Sequence, residues 1–592
     1  MRREFWSRRR AGLSRLLAVG AVLALAACTG GAAGDDGGGG GDEEVGEPQS
    51  GGEITTLLDA GFAGGWATGL DPATSNTTGA NLPQNSAIFG GLFTLEATDA
   101  GKGEIVANQA ESYEWSEDGL KLTVKIREGI EFSDGTTMDA DAVVWNWIRQ
   151  ISSGSTGAPQ LDLNLEMEPP DLDQEFLDSL FAALPQDVDR DLIMARLGSI
   201  RAVDDLTVEM NLNQPDGSLV NGFPASNLNL IASPTAYAEM GAEKFSQKPV
   251  GAGPFVITGN KQNERLELER NDNYFKDGLP YLDALNFQSV TGDQVMYQTL
   301  QAGQGDVIEG LSSVTLIDEA QNNPNLNVVL GAPTSPYVIQ LNTRKPPFDD
   351  IRAREAIYYA TDWEAINEGL FNGQGEMSQS FTASGGLFHH PEVPGYREYD
   401  PDKARALVDE LGGLTVELGT TDIVTARSVT TALQTQWREA GIDVKIDAQP
   451  LGDVITSFTS GEWQSMLQTA GAWDPAVGIG VGVRFGSTSP FSGTPLPEGA
   501  SSAQEALEQN LTTELDEMLE AAVATVDPEE REAMYREVSK YISDQAYGPF
   551  GMAFSPAQVM RQGVHGPGLD VPIPALAVNQ GVLYDRVWVE NE

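Results

Sequence analysis

The sequence predicts an α/β fold, and two segments carry that prediction. Residues 113–147 combine strand periodicity with a following helix, while residues 400–446 alternate helices and strands in the order typical of parallel pairing. The body from about Gly51 to Glu592 is long enough for two or three domains, and 40% apolar residues suit a chain that buries a core. We therefore expect a globular body with mixed helices and strands.

The segment 113–147 predicts a hairpin followed by a helix. Apolar and polar residues alternate from Leu120 to Ile126, as in a strand with one buried face. Asp134-Gly135 predicts a tight turn, and Asp139 stands at an N-cap position ahead of residues with helical spacing.

The segment 400–446 predicts strand–helix–strand units. Asp400-Pro401 is typical of a helix start, and Gly412-Gly413 of its end. A strand over 415–419 follows, and a second helix from about Ser428 to Ala440 leads into an alternating strand over 442–446.

The N-terminus predicts export and lipidation. Residues 1–27 contain an arginine-rich head, an apolar run from Leu16 and small residues before Cys28, the one cysteine of the chain. The apolar run is too short for a retained membrane span of about 20 residues, so we expect cleavage and a lipid on Cys28. Residues 28–52 read as a flexible linker of glycine and acidic residues. An ordinary secretory signal with a chance cysteine is the alternative, and export by the general or the twin-arginine route stays open.

The charge of the chain limits its partners. It carries 87 acidic and 36 basic residues, a formal charge of -51, and loss of 1–27 with its six arginines and Glu4 gives -56. Such a surface disfavours nucleic acid and anionic lipid as partners. With no cysteine after Cys28, the body contains no disulfide.

Motifs of the common enzyme classes are missing from the sequence. It has no His-Glu-x-x-His helix, no Gly-x-Ser-x-Gly elbow, no phosphate loop and no dinucleotide fingerprint. The three histidines are His389, His390 and His565, and the adjacent pair lies in a loop bounded by glycine and proline. We therefore predict a protein that is not an enzyme and that holds no cofactor or metal.

Four segments resemble the extracytoplasmic solute-binding proteins of ABC importers, in particular the oligopeptide- and dipeptide-binding group known as solute-binding protein family 5. The first segment reads AESYEWSEDGL and continues to REGIEFSDGT with its Asp-Gly turn. The resemblance spans nearly the whole body, and the segments that carry it are 110–136, 250–275, 300–307 and 342–352.

This resemblance implies a two-lobed fold of the type II periplasmic-binding-protein kind, with hinge strands and an additional subdomain. It places crossovers near Tyr337–Leu341 and Phe550–Phe554. The implied boundaries are lobe I at 53–338 plus 555–592, with a subdomain at about 100–230 that holds an acidic insertion at 154–200, and lobe II at 339–554.

The resemblance also implies a ligand site in the cleft between the lobes. Asp474 is the candidate partner for a ligand ammonium, or else it caps the turn before Pro475. Trp473 would stack on ligand or pack in a core. The complete set of candidate contacts is Asp474, Trp473, Gly471, Asn81, Met552 and Phe554.

The function implied is capture of an oligopeptide or dipeptide by a lipid-anchored, monomeric receptor at the extracytoplasmic face of the membrane. The receptor would deliver the peptide to a permease with cytoplasmic ATPase subunits. Three alternatives remain open: uptake of an oligosaccharide, for which Trp463 and Trp473 would serve as platforms, or of a nickel or other metal chelate; a surface hydrolase; and a ligand-sensing signalling receptor.

Overall fold

The computed structural model describes residues 46–590 apart from 61–63, 76–80, 99–102, 154–160, 472, 478–479 and 575–580. Glu47–Glu592 forms one compact unit. The predicted signal peptide, Cys28 and most of the predicted linker lie outside the described residues. Within the described ranges, we find no helix with the length and apolar character that a membrane crossing requires.

The fold contains many short strands. In chain order the described strands are β1 (Glu53–Asp59), β2 (Phe93–Ala97), β3 (Gly103–Ala107), β4 (Ala110–Trp115), β5 (Lys121–Ile126), β6 (Ile200–Asp204), β7 (Thr207–Asn211), β8 (Phe255–Lys261), β9 (Arg265–Arg270), β10 (Ala284–Val290), β11 (Val307–Leu311), β12 (Leu326–Leu330), β13 (Pro336–Leu341), β14 (Glu376–Met377), β15 (Leu414–Thr421), β16 (Ile442–Gln449), β17 (Ser465–Thr469), β18 (Phe550–Ala553), β19 (Ala557–Arg561), β20 (Val564–His565) and β21 (Trp588–Val589).

Helices separate most of these strands. The described α-helices are α1 (Leu82–Phe89), α2 (Ala140–Ser152), α3 (Gln174–Ala183), α4 (Arg190–Ser199), α5 (Leu219–Gly222), α6 (Pro234–Gln247), α7 (Asp293–Gln301), α8 (Val314–Gln321), α9 (Ile351–Ala360), α10 (Trp363–Phe371), α11 (Pro401–Leu411), α12 (Val424–Glu439), α13 (Leu451–Ser460), α14 (Val481–Phe485), α15 (Ala503–Gln509), α16 (Glu514–Ala524) and α17 (Pro528–Asp544).

The first large sheet has the strand order β12-β19-β11-β1-β10-β9-β8, with β1 parallel to both of its neighbours. Its two faces pack against separate apolar clusters, because successive strand residues point to opposite sides: Val307 enters one cluster and Ile308 the other. A four-stranded antiparallel sheet, β4-β5-β7-β6, shares the larger cluster with α2. We call the part of the chain that packs around these two sheets lobe I.

The second large sheet has the order β14-β18-β13-β17-β15-β16 and defines lobe II. Strands β15 and β16 pair in parallel and α12 connects them, which is the strand–helix–strand unit that the sequence predicts. Helices on both faces bury separate apolar clusters, one around Trp437 and one around Tyr535. The fold is therefore mixed α/β with two lobes, as predicted.

Two short segments join the lobes. The chain leaves lobe I after β12 through residues 331–335 and returns after β18 through residues 554–556. Strand β13 belongs to the second sheet over its whole length, because Val338 and Ile339 enter the two apolar clusters of lobe II. The first crossing therefore lies a few residues before the predicted boundary at 338.

Several helices begin and end at the capping residues that the sequence predicts. The side chain of Asp139 accepts a hydrogen bond from the backbone N–H of Ala142, and Asp400 caps α11 in the same way. Gly412 ends α11 with a left-handed backbone at φ 74°, a conformation that glycine adopts without strain. Helix α12 begins at Val424, four residues before the predicted Ser428.

Candidate functional site

Lobe I and lobe II contact each other through a small polar network. Arg531 of α17 donates to the carbonyl of Gly217 in lobe I at 3.0 Å, and Asn221 of lobe I donates to Asp474 of lobe II at 3.0 Å. The N–H of Gly217 also donates to the carbonyl of Val523 at 2.8 Å. These bonds hold the two lobes together beside the cleft.

Asp474 lies at the centre of this network with 1% of its surface exposed. The Arg531 guanidinium binds it with two bonds, Nη1 to Oδ2 at 2.9 Å and Nη2 to Oδ1 at 3.2 Å. Each carboxylate oxygen also accepts a second bond: Oδ2 from the side chain of Asn221 and Oδ1 from the backbone N–H of Ala476. In this arrangement a ligand ammonium finds no free acceptor on Asp474, so its predicted role as ammonium partner requires the pair with Arg531 to open and stays a prediction.

The charges in this network stabilise the ionised form of Arg531. Burial works against the charge of Arg531, but the carboxylate of Asp474 outweighs it and raises the pKa of the guanidinium. Nearby, burial raises the pKa of Asp216, which the hydrogen bonds from Ser218 and the charge of Arg531 oppose only in part. The network is thus a buried ion pair with a second, poorly solvated carboxyl beside it.

Trp473 reaches from lobe II into lobe I. It is 4% exposed and forms one apolar cluster with Leu95 and Ile573 of lobe I. Its Nε1 has no hydrogen-bond partner among the described residues. Gly471, two residues earlier, is packed so tightly that a Cβ would lie 2.1 Å from the carbonyl of Phe381, which explains why glycine stands there.

The remaining predicted contacts have structural surroundings of their own. Asn81 is fully buried, and its Nδ2 donates to the carbonyl of Gly65 at 3.0 Å. Met552 is fully buried in the Trp437 cluster of lobe II. Phe554 lies in the returning crossing and packs against apolar clusters of both lobes. Trp463 packs edge-on against Phe458 with ring centroids 5.0 Å apart, so it offers no open platform.

A small cavity lies in lobe I beside the cluster of Trp473, Leu95 and Ile573. Its volume is about 60 Å³, and its walls come from α1, β2, β11 and the segment after Gly581. Leu95 and Ile573 line it and also belong to the Trp473 cluster, so the cavity lies next to the contact between the lobes. Glu309 on β11 is one of the lining residues and is 7% exposed.

Sequence reasoning missed Glu309 because one acid among 87 acidic residues carries no signal. A register argument would have found it. Glu309 is two residues after Val307 on β11, so it lies on the same buried face of the strand. Burial raises its pKa to about 8, against a hydrogen bond from Tyr584 that lowers it.

Across the described ranges, no group of three or more His, Cys, Asp and Glu side chains is placed to hold a metal ion. Of the adjacent histidines, His389 has its Nδ1 2.8 Å from the carbonyl oxygen of Thr382. The pKa of His390 is lowered to about 4, mainly because the side chain is buried.

Comparison with known proteins identifies the class. Residues 104–489 match the family model for bacterial extracellular solute-binding proteins, family 5 Middle. The chain belongs to this family. It is therefore an extracytoplasmic substrate-binding protein of an ABC transporter, and its relatives are binding proteins rather than enzymes.

Individual relatives are distant in sequence and similar in fold. The chain is 25% identical to heme-binding protein A of Haemophilus influenzae, over 75% of this chain and 78% of that protein. It is 24% identical to the dipeptide-binding protein of Escherichia coli, over 75% and 80% respectively. The periplasmic binding protein DppA from Helicobacter pylori, solved with the peptide STSA, superposes with a TM-score of 0.65 at 19% identity, over 92% of this chain and 99% of that one.

Proposed function

We propose that this chain captures oligopeptides or dipeptides between its two lobes and delivers them to a membrane permease. The observation that carries the proposal is the lobe contact itself: Trp473 of lobe II packs against Leu95 and Ile573 of lobe I, two residues that also line a cavity there. Two bodies joined by two short crossings can separate to admit a solute and close over it. The permease would respond to the closed form through contacts that the open form lacks.

The kinds of relatives support a peptide as the solute. A dipeptide-binding protein matches along most of its length, and a protein solved with a tetrapeptide shares the fold. An oligosaccharide receives less support, because Trp463 and Trp473 are 5% and 4% exposed and pack within apolar clusters. We propose lobe boundaries within a few residues of 338/339 and 554/555, at the crossings 331–335 and 554–556, with Gly471, Asn81, Met552 and Phe554 near the ligand.

Calorimetric titration of Glu47–Glu592 with short free peptides tests this function. Every described sheet and apolar cluster lies within this unit, so it contains the contacts that fold it. We expect saturable heat with free peptides and none with oligosaccharides of similar length. Binding of the sugars with no response to any peptide would refute peptide capture.

We also propose that the chain is held at the membrane by a lipid on Cys28, which the apolar run and small residues before it support. Two acyl chains anchor a protein far more firmly than one. Cys28→Ser is expected to move the full-length protein from the membrane fraction to the soluble extract and to abolish incorporation of labelled palmitate. Thr29→Ser, which changes the next residue and keeps the thiol, should stay with the membrane. A Cys28→Ser protein that remained there would exclude the lipid anchor.

A further inference from the structure

A second and larger cavity lies within lobe I. Its volume is about 700 Å³, which falls in the range of about 300–1,000 Å³ that is typical of small-molecule sites. One wall consists of strands β4 and β5 with the turn after β5, and another wall is the loop that follows β9 of the first large sheet. All of its lining residues belong to lobe I, so this cavity is separate from the cleft between the lobes.

The lining of this cavity is rich in bases although the chain is acidic. The whole chain has 36 basic residues against 87 acidic ones. Among the lining residues the bases outnumber the acids: Lys125, Arg127 and Lys276 against Glu111 and Glu128. The acidic chain as a whole repels anions, so this cavity is a place where an anion can approach the body.

Two of the three bases already have carboxylate partners. Lys125 Nζ lies 2.6 Å from Glu111 Oε2, and Lys276 Nζ lies 2.8 Å from Asp585 Oδ2. The hydrogen bond from Lys125 is the largest cause that lowers the pKa of Glu111, and the charge of Arg127 contributes in the same direction. The charges of the two lysines are therefore largely compensated within the protein.

Arg127 is the base whose charge stays available. Its Nε donates to the carbonyl of Asn108, which fixes the guanidinium at the wall of the cavity. Within the part of the chain that the structure describes, no carboxylate forms an ion pair with Arg127, and neither of its Nη atoms has a hydrogen-bond acceptor. A guanidinium carries five N–H donors in a planar fork, and its Nη atoms can bind both oxygens of one carboxylate.

Apolar side chains supply the rest of the surface that a ligand needs. Phe275 and Leu206 line the cavity, and the ring of Phe275 packs edge-on against Tyr274 with centroids 5.0 Å apart. A volume of about 700 Å³ is far larger than one ion requires. The cavity therefore suits a ligand that combines an anionic end with an apolar body.

The balance of charges favours a carboxylate over a phosphate. One unpaired cation, Arg127, matches one negative charge. A phosphate group carries between one and two charges near neutral pH, and it would meet the carboxylates of Glu111 and Glu128 in the same cavity. Because like charges in close contact are costly, a singly charged ligand fits these surroundings better.

We propose that this cavity binds a small organic carboxylate, with the carboxylate on the Nη atoms of Arg127 and the apolar or aromatic body of the ligand against Phe275 and Leu206. The site does not depend on the proposed capture of peptides. Since lobe I alone forms its walls, binding there does not require the lobes to close.

The first test is calorimetric titration of Glu47–Glu592 with phenylacetate and with phenylacetamide, which has the same ring and no charge. We expect saturable binding of phenylacetate, and binding of the amide that is weaker by about tenfold or more, because bonds to a charged group are the stronger ones. Phenyl phosphate should bind more weakly than phenylacetate. Tighter binding of phenyl phosphate would overturn the assignment to a carboxylate.

Arg127→Gln removes the charge and keeps a donor for the carbonyl of Asn108. It should weaken phenylacetate by about tenfold or more and leave phenylacetamide unchanged. Arg201→Gln is the matched control, because Arg201 lies on β6 of the same small sheet but does not line the cavity, and its partner Glu209 keeps Lys121 at 2.7 Å. This control should bind phenylacetate like the unmodified protein. Thermal unfolding shows whether each variant is folded.

Hydrogen exchange on the unmodified protein locates the ligand without any variant. Phenylacetate should slow exchange in the segments 108–111, 125–129 and 275–276, and leave the segment 470–475 beside the cleft unchanged. Protection beside the cleft with none around the cavity would refute the site. So would equal affinity of phenylacetate for Arg127→Gln and the unmodified protein, or no saturable binding of phenylacetate. None of these results bears on the capture of peptides, which has its own titration.

Discussion

Replacing Arg531 by methionine is expected to lower the free energy of unfolding by about 3–5 kcal/mol, since removing one partner of a buried ion pair leaves the other charge without compensation. The side chains of Arg531 and Asp474 are 1% and 0% exposed, so water cannot take the place of the guanidinium. The substitution also removes the cation that lies over the rings of Phe388 and Tyr535. Urea unfolding of Glu47–Glu592, followed by circular dichroism, measures the effect.

Arg536→Met is the matched control for this experiment. Arg536 lies on the same helix, α17, and pairs with Glu532, but their side chains are 59% and 49% exposed. Exposed pairs of this kind contribute less than about 1 kcal/mol, so the control should change little. A second variant with Arg531→Met and Asp474→Leu should recover much of the loss, because no charge then remains buried alone. Equal effects of Arg531→Met and Arg536→Met would show that the buried pair contributes no more than a surface pair.

This pair shows where sequence reasoning reaches its limit. The sequence draws attention to the segment around Asp474 and leaves that residue a choice between ligand contact and a local structural role. Its partner Arg531 lies 57 residues away in sequence, on helix α17. No periodicity or spacing links them, because the contact depends on how α17 packs against the loop after β17. Tertiary packing therefore decided the surroundings of Asp474.

Local features were predicted well, for a physical reason. The cap at Asp139, the cap at Asp400 and the left-handed end at Gly412 depend on hydrogen bonds and dihedral angles within a few residues. Strand β5 follows the alternation from Leu120 to Ile126 because its buried face alone sets that pattern. The two-lobed architecture, in contrast, came from resemblance to a family and not from any local pattern.

The register of β11 could place Glu309 on a buried face, but it could not give the partners of its side chain. Its environment consists of Tyr584, Thr56 and Gln558, which are distant in sequence and meet only when β19 and the C-terminal segment join the first sheet. Buried acceptors without partners become visible only when all contacts are known.

Replacing Gly217 by alanine is expected to reduce the affinity for peptide at least tenfold, which corresponds to about 1.4 kcal/mol. A Cβ at this position would lie 2.0 Å from the carbonyl oxygen of Thr525, a backbone atom of the other lobe that cannot rotate away. The methyl group therefore forces the lobes apart where Arg531 and Asn221 join them. If the closed form holds the ligand, a smaller closed population weakens apparent binding in proportion. Calorimetric titration with the same free peptides measures this loss.

Gly369→Ala is the control for Gly217→Ala, because it also adds a methyl group to a glycine but at a position away from the contact between the lobes. Gly369 lies in α10 of lobe II, and a Cβ there would meet no heavy atom within 4 Å. Gly369→Ala should leave the affinity for peptide unchanged and stabilise the helix slightly, since alanine favours helices over glycine by about 1 kcal/mol.

Small-angle scattering should show a larger radius of gyration for Gly217→Ala than for the unmodified protein. Gly369→Ala should have the same radius of gyration as the unmodified protein. Because Gly217 contributes to a contact between lobes and not to a core, each lobe should keep its own packing. Unchanged affinity in Gly217→Ala would mean that ligand binding does not require the lobe contact seen here, and the packing of Trp473 against Leu95 and Ile573 would then have no role in ligand capture.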